Sequence, residues 1–278
     1  MTSSRKIWLI TGAASGLGLA ITERVLLEGD IVVATARNVE RLSKLRHTYE
    51  GSLHLEELDV VAEADVERVI HKTVLELGRI DVLVNNAGFG TLRPFEQTSS
   101  SSFRAEVDVN FFGTVNLIRA TLPSMREKRS GVIINISSSA GRVGAPGMAA
   151  YCAAKAAVGV FTESLAKEAK PFGVRVVAVE PGSIRTGWAS RALSGFQPLI
   201  PDYQETVGAL LGYAQSIVGN EPGDPDKYAD IIFRLAQNVD LPEHLLLGPA
   251  AIQMVNAADK SRQLSAAEWV ETSIATDF

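Results

Sequence analysis

A chain of 278 residues with 46% hydrophobic and 21% charged side chains has a globular composition, which excludes a largely disordered protein. The net charge of −5 argues against nucleic-acid binding, since phosphate contacts need clustered lysine and arginine. One cysteine cannot form an internal disulfide, and the polar residues 1–6 do not open a secretory signal. No apolar run reaches the roughly 18 residues that a membrane span needs. We therefore expect a cytoplasmic protein.

Short apolar runs alternate with helical patterns along most of the chain. Because nearly every residue of these runs is apolar, we expect strands that are covered on both faces, as in a parallel sheet flanked by helices. Right-handed crossovers then give an α/β, Rossmann-type, doubly wound fold with seven parallel strands. In chain order the predicted elements are strand 6–11, helix 16–27, strand 31–35, helix 39–49, strand 53–58, helix 63–77, strand 81–85, a long helix that follows residues 98–102 and ends at about 129, strand 131–136, helix 151–170, strand 174–179, helix 226–237 and strand 245–247. The Ser/Thr run at 98–102 is interpreted as the cap of the long helix.

The rhythm breaks after Pro181. Residues 187–225 are rich in Gly and Pro, and a connection of this length in a compact domain is usually a lid or a binding segment. Its aromatic residues are Trp188, Phe196, Tyr203 and Tyr213. Residues 250–278 follow as a polar helical tail. No internal repeat or linker divides the chain, so we predict a single domain over residues 1–278, with the lid and the tail as parts of it.

Glycines cluster where the first strand meets the first helix, in the run Thr11-Gly12-Ala13-Ala14-Ser15-Gly16-Leu17-Gly18. Glycine lets the backbone approach a pyrophosphate, and the helix N-terminus adds amide donors and a partial positive charge. Taken alone, the cluster is also compatible with a tight strand-to-helix turn. The second predicted strand ends in Thr35-Ala36-Arg37-Asn38, without a carboxylate. An acid there would bind the ribose of NAD, whereas Arg37 suits the 2′-phosphate of NADP(H), so we expect NADP(H) to be favoured over NAD(H).

Tyr151 and Lys155 are four residues apart, which places both on one face of a predicted helix. A phenol can protonate the oxygen of a carbonyl that accepts hydride, but its ordinary pKa of about 10 is too high for efficient exchange near neutrality. A lysine charge about 5 Å away would lower that pKa by about two units. Ser137, Ser138 and Ser139 end the fifth strand, and chemistry alone does not choose among them.

Together these motifs resemble the short-chain dehydrogenase/reductase family, whose T-G-x-x-x-G-x-G loop, N-N-A-G (Asn85 to Gly88), Y-x-x-x-K and P-G-x-x-x-T (Pro181 to Thr186) motifs occur here in the family's order. The resemblance implies the catalytic residues Asn110, Ser138, Tyr151 and Lys155, with Tyr151 as the acid. Ser15 stands where some members carry a second basic residue, which implies a modest NADP preference. The implied cofactor-binding residues are Gly12, Ser15, Gly16, Leu17, Gly18, Arg37, Asp59, Asn86, Ala87, Gly88, Tyr151, Lys155, Pro181, Gly182, Ile184 and Thr186.

The segments 108–113 and 179–182 are similar to the NADP-preferring branch of hydroxysteroid and retinol dehydrogenases and carbonyl reductases. That similarity and the aromatic lid lead us to expect a hydrophobic ketone or aldehyde as substrate. Expected substrate contacts are Phe89, Gly90, Gly144, Ala145, Met148, Trp188 and residues of the lid. Three alternatives remain open: an NADP-sensing regulator without catalysis, the same scaffold recruited as a dehydratase or cyclase, and an interaction module in the tail.

Members of the family often form dimers or tetramers through two long helices, here about 104–129 and 151–170. Phe111, Phe112, Val158 and Phe161 suit such an interface, but they could equally face the sheet. Cys152 is interpreted as a small packing residue, because no histidine lies nearby in sequence to activate it. The histidines are far apart along the chain, so we expect no metal site.

Overall fold

The computed structural model describes residues 5–194 and 198–277, and within them seven parallel strands form one sheet in the order β3-β2-β1-β4-β5-β6-β7. This confirms the predicted seven-stranded α/β fold of the Rossmann type. Residues 1–4 and Phe196 of the predicted lid lie outside the described residues. The strands are β1 (Ile7–Thr11), β2 (Ile31–Ala36), β3 (Leu53–Glu57), β4 (Val82–Asn85), β5 (Gly131–Ile136), β6 (Val174–Pro181) and β7 (His244–Leu247).

The central strands are buried at every position, which explains their uninterrupted apolar sequences. β1 pairs with β2 on one side and with β4 on the other, so the direction of winding reverses between β1 and β4. In open parallel sheets such a reversal leaves a crevice at the carboxyl ends of the strands, where ligands bind.

Helices cover both faces of the sheet. One core cluster joins the sheet to α1 and α9 through residues such as Ile21 and Ile232, and the other joins it to α3, α5 and α6 through residues such as Val69, Leu117 and Leu165. The α-helices are α1 (Gly16–Leu27), α2 (Ser43–Thr48), α3 (Glu63–Leu77), α4 (Ser100–Val107), α5 (Gly113–Lys128), α6 (Ala149–Ala169), α7 (Trp188–Ala192), α8 (Ala209–Ile217), α9 (Pro225–Leu235), α10 (Pro249–Glu268) and α11 (Val270–Ile274).

The predicted long helix before β5 is divided in two. α4 begins after Ser99, whose hydroxyl accepts a hydrogen bond from the Ser102 amide at 3.1 Å, so the hydroxyl run caps the helix as predicted. A π turn at Asp108–Phe112 then separates α4 from α5. Such wide turns are frequent at functional sites, and this one contains Asn110. The predicted helix 39–49 also differs, because a 3₁₀ turn at Glu40–Leu42 replaces its first turns.

The described part of the lid is largely helical, and its residues Ala192, Val207 and Leu211 form a small apolar cluster with Leu92, which follows β4 in the chain. In the tail, Ala251 and Val255 of α10 are buried, whereas residues 260–277 are exposed at every position. Only the beginning of the tail therefore covers the domain.

Of the residues considered for a subunit interface, Val158 is only 1% exposed and packs inward, which agrees with the alternative that it faces the sheet. Phe112 is 48% exposed, and Phe111 packs edge-to-face against Phe161 with ring centroids 5.9 Å apart. The part of the chain that the structure describes has no helix long and apolar enough to cross a membrane.

Candidate active site

A cleft of about 1170 Å³ opens at the carboxyl ends of the strands, across the point where the winding reverses. This volume exceeds the usual 300–1,000 Å³ or so of small-molecule pockets and suits a dinucleotide together with a second ligand. All the predicted catalytic residues line the cleft, and so do all the predicted cofactor residues except Gly18.

The glycine loop that follows β1 forms one wall of the cleft. Gly12 and Gly16 have φ angles of +66° and +56°, a conformation that side chains disfavour. A Cβ at Gly18 would collide with the carbonyl oxygen of Gly12 and lie 2.5 Å from Nδ2 of Asn86, so Gly18 allows α1 to sit close behind the loop. Ser15 precedes α1 without capping it, which leaves the amides of the first turn to meet an anion in the cleft.

Polar side chains at the end of β4 hold this loop in place. The Thr11 hydroxyl accepts hydrogen bonds from the backbone amides of Asn86 (2.9 Å) and Ala87 (3.0 Å), and Asn86 Nδ2 donates to the Thr11 carbonyl at 2.9 Å. Behind them, buried Asn85 donates to Asn135 at 2.8 Å. The sequence reasoning missed Asn135, although an asparagine inside an apolar strand was a signal for such a partner.

Two arginines mark the far end of the cleft, where β2 ends. Arg37 and Arg41 are both exposed and line the cleft, and among the described residues no carboxylate forms an ion pair with either. Arg41 was missed because its segment was read only as a helix start, although its place four residues after Arg37 was the available signal. Asp59 lines the neighbouring wall, and its carboxylate accepts from the Val61 amide at 3.1 Å.

The π turn, the end of β5 and helix α6 bring the predicted catalytic residues together. Lys155 is buried, its Nζ lies 5.7 Å from the Tyr151 ring centroid, and it donates to the Ile136 carbonyl at 2.7 Å. Asn110 Nδ2 donates to the carbonyls of Phe89 (2.7 Å) and Glu106 (2.8 Å). A Cβ on Gly88 would lie 2.6 Å from Asn110 Oδ1 and 3.5 Å from Lys155 Nζ, so this glycine leaves room for both side chains.

The structure separates the three serines after β5. Ser137 is buried and donates to the Lys155 carbonyl at 2.8 Å, and Ser139 is buried in the following turn. Ser138 is half-buried, and its hydroxyl accepts from the Ala140 amide at 3.1 Å. Ser138 is therefore the serine with a hydroxyl still accessible beside Tyr151.

Burial dominates the acid–base properties of the pair. It raises the pKa of Tyr151 to about 12, a rise that the Ser138 hydroxyl opposes by hydrogen bonding. It also lowers the pKa of Lys155 to about 8. The lowered tyrosine pKa expected from the sequence is thus wrong for the protein by itself, because removal of the phenol from water penalises the charged phenolate.

The substrate end of the cleft is mostly apolar. The six expected contacts all line it, and the Trp188 ring lies over Tyr151 with centroids 5.1 Å apart. A Cβ at Gly90 would lie 2.8 Å from the Trp188 ring, whereas one at Gly144 would meet no atom within 4 Å. Residues of the lid were also expected as contacts, and Leu210, Tyr213, Ala214 and Ile217 of the lid line the cleft. Sequence reasoning missed Met254 of the tail, since nothing in its local pattern places it here.

Cys152, next to Tyr151, is half-buried, and burial raises the pKa of its thiol. A raised pKa disfavours the thiolate, which agrees with a packing role. Over residues 5–194 and 198–277, no group of three or more His, Cys, Asp and Glu side chains is arranged to hold a metal ion.

Comparison with known proteins identifies the class to which this fold and site belong. The family model for short chain dehydrogenase matches residues 6–195. Oxidoreductase BOA17 of Botryotinia fuckeliana (strain B05.10) is 38% identical over 273 residues, which cover 98% of this chain and 99% of that protein. The 3-ketodihydrosphingosine reductase of Bacteroides thetaiotaomicron is 34% identical over 261 residues, or 92% of each chain. The chain belongs to the short-chain dehydrogenase/reductase family.

Solved structures agree with this assignment. A short-chain dehydrogenase from Streptomyces avermitilis superposes with a TM-score of 0.91 at 38% identity, over 99% of this chain and 100% of that one. A short-chain dehydrogenase from Burkholderia cenocepacia J2315 in complex with NADP gives a TM-score of 0.73 at 27% identity, over 95% and 97% of the two chains. The protein is accordingly an NAD(P)-dependent oxidoreductase of this family.

Proposed function

We propose that the protein interconverts a ketone or aldehyde and the corresponding alcohol, with NADP(H) as the favoured cofactor and a hydrophobic small molecule as substrate. The observation that carries the proposal is the meeting of Tyr151, Ser138 and Lys155 in one cleft with the glycine loop. A regulator that only sensed the cofactor would have no use for a proton donor at the apolar end of that cleft.

The residues of the cleft fit a dinucleotide. At its glycines, the loop from Gly12 to Gly18 has no side chain to keep a pyrophosphate away from the backbone. The first turn of α1 offers free amides to the same pyrophosphate. We assign the adenine end to Asp59 and the nicotinamide end to the turn from Pro181 to Thr186, where Ile184 and Thr186 line the cleft. When bound, the cofactor supplies hydride to the carbonyl carbon.

Tyr151 transfers its phenol proton to the carbonyl oxygen, and Ser138 donates a hydrogen bond to the same oxygen as negative charge develops there. Lys155 keeps its ammonium close to the phenolate that Tyr151 becomes, which favours the transfer. Asn110 holds a water that returns a proton to Tyr151 by way of Lys155. In the oxidising direction the same groups act in reverse, with the Tyr151 phenolate accepting the proton of the alcohol.

The arginines at the end of β2 support the NADP preference. A 2′-phosphate needs cationic donors, which Arg37 and Arg41 provide, and no acid stands at the end of β2 to repel it. The sequence predicted only a modest NADP preference, because Ser15 stands where some family members carry a second basic residue. Arg41 supplies a second positive charge that this prediction did not consider. The Burkholderia cenocepacia relative in complex with NADP is consistent with this choice.

The apolar lining supports a hydrophobic substrate. Trp188, Met148 and the lid residues surround the space above Tyr151, and the similarity to a 3-ketodihydrosphingosine reductase supports a ketone on an apolar molecule. We also propose a homodimer or homotetramer, in which exposed Phe112 and its neighbour Phe111 contact a second copy.

A titration of the purified protein with NADPH and NADH, followed by turnover of a panel of ketones and aldehydes of graded size and polarity, tests the proposal. We expect tighter binding of NADPH and turnover of the larger apolar carbonyls. Tight binding without turnover across the panel would favour a sensor or a recruited dehydratase or cyclase. Turnover of small polar carbonyls alone would refute the substrate class.

A further inference from the structure

Glu106 is an acidic side chain buried beside the catalytic residues. It is 1% exposed and is the buried residue of α4. The Thr91 hydroxyl donates a hydrogen bond to its Oε1, whereas Oε2 is buried without a hydrogen-bond partner. Burial of a carboxyl oxygen without a hydrogen bond lowers the stability of the folded protein, so the position of this side chain calls for an explanation.

Glu106 lines a small cavity together with the first turn of α6. The cavity is bounded on that side by Met148, Ala149 and Ala150, and its volume of about 10 Å³ admits nothing larger than a single water. Glu106 is not among the residues that line the active-site cleft, so the groups on which its carboxyl acts are the protein's own. The first amides of a helix have no partner within the helix, and no side chain caps α6 at Met148. A carboxylate facing this turn is stabilising, because the N-terminus carries a partial positive charge.

Two catalytic residues depend on the position of Glu106. Tyr151 projects from the first turn of α6, directly after Ala150. Asn110 lies one turn after Glu106, and its Nδ2 donates to the Glu106 carbonyl at 2.8 Å. The side chain of Glu106 thus faces the first turn of α6, which carries Tyr151, while the backbone carbonyl of Glu106 accepts the hydrogen bond from Asn110.

We propose that Glu106 is a positioning residue that aligns Tyr151 with Asn110 and sets the electrostatic environment of the phenol. The proposal rests on the proposed function, in which Tyr151 exchanges a proton with the substrate.

The charges around Glu106 define the expected direction of its effect. Its own pKa is raised by burial, and the Thr91 hydrogen bonds and the positive charge of Arg93 oppose that rise. When ionised, Glu106 raises the pKa of two groups on α6, the phenol of Tyr151 and the thiol of Cys152, because its negative charge disfavours theirs. Lys155 follows Tyr151 by one turn. Neutralising Glu106 must therefore lower the pKa of Tyr151.

The variant Glu106→Gln keeps the shape and an acceptor for Thr91 but removes the charge. The measurement is the pH dependence of kcat for oxidation of the alcohol formed from the best carbonyl of the panel, which requires the Tyr151 phenolate. We expect the acidic limb to move to lower pH by about half a unit or more, with NADP⁺ affinity unchanged. The matched control is Glu127→Gln on the exposed surface of α5, whose limb should coincide with that of the parent protein.

An acidic limb that stays in place in Glu106→Gln, whatever the change in kcat, overturns the proposal, since a merely structural role would lower activity without moving the limb. If that variant does not fold, Thr91→Val replaces it, because loss of the hydrogen bond favours the neutral carboxyl and predicts the same direction. Amide hydrogen exchange of the first turns of α6 gives a readout without turnover, and we expect faster exchange in the variant. If exchange is faster in the variant but the parent protein turns over no carbonyl, the proposed function is refuted and the positioning role of Glu106 stands. If exchange is unchanged in the variant, the contact between Glu106 and the first turn of α6 is refuted.

Discussion

Replacement of Arg37 by alanine tests the assignment of the phosphate end of the cleft. A hydrogen bond to a charged group contributes about 1.5–3 kcal/mol. Arg37 is exposed, so solvent screening places its contribution at the low end. We therefore expect Arg37→Ala to weaken NADPH binding by about tenfold, or about 1.4 kcal/mol, and to leave NADH binding unchanged.

Arg41→Ala should act in the same direction. The double variant should lose less than the sum of the two single losses, because both side chains would contact one phosphate. Fluorescence titrations with NADPH and NADH measure the affinities of the parent, the two single variants and the double variant at one salt concentration. Arg126→Ala, which replaces an exposed arginine on α5, is the matched control. An equal loss for both cofactors would show that Arg37 supports the fold of the cleft, and no loss for either would remove it from the site.

Three further changes test other parts of the cleft. A valine at Gly144 enters open space above the site, so Gly144→Val should raise KM for bulky ketones while a small aldehyde is still turned over; equal effects on both substrates would contradict the placement of this residue. An alanine at Gly18 collides with the glycine loop, and Gly18→Ala should weaken NADPH binding more than about tenfold in a calorimetric titration; normal affinity would refute the close approach of α1. The Lys155 ammonium, with a pKa of about 8, loses its proton as pH rises, so kcat/KM for reduction should fall above about pH 8, and Lys155→Arg should lack that limb; a limb retained in Lys155→Arg would assign it to another group.

The sequence predicted the sheet because strands buried on both faces must be apolar at successive positions, as β1 and β5 are. Short motifs after those strands and at the start of α6 predicted candidate catalytic and cofactor residues, and the structure brings nearly all of them to one cleft. The sequence did not predict the π turn at Asp108–Phe112, since this segment continues a helical pattern and the interruption accompanies tertiary hydrogen bonds of Asn110.

Properties that depend on burial also lay beyond the sequence. The phenol of Tyr151 was expected to be more acidic than usual, yet burial makes it less acidic. Trp188 and Gly90, which lie against its ring, come from distant segments of the chain. Met254 reaches the cleft from α10, more than a hundred residues after Tyr151, and no local pattern marks it. The Glu106 carboxyl has no motif at all and is recognised only by its unused oxygen inside the fold.

The variant Tyr151→Phe tests whether Tyr151 is the acid of a reductase site, because it keeps the ring against Trp188 and removes the hydroxyl. Turnover of the best carbonyl and affinity for NADPH are measured on the same preparation. We predict that turnover falls by about a hundredfold or more while NADPH binding is retained. Turnover within a few-fold of the parent protein would contradict the account.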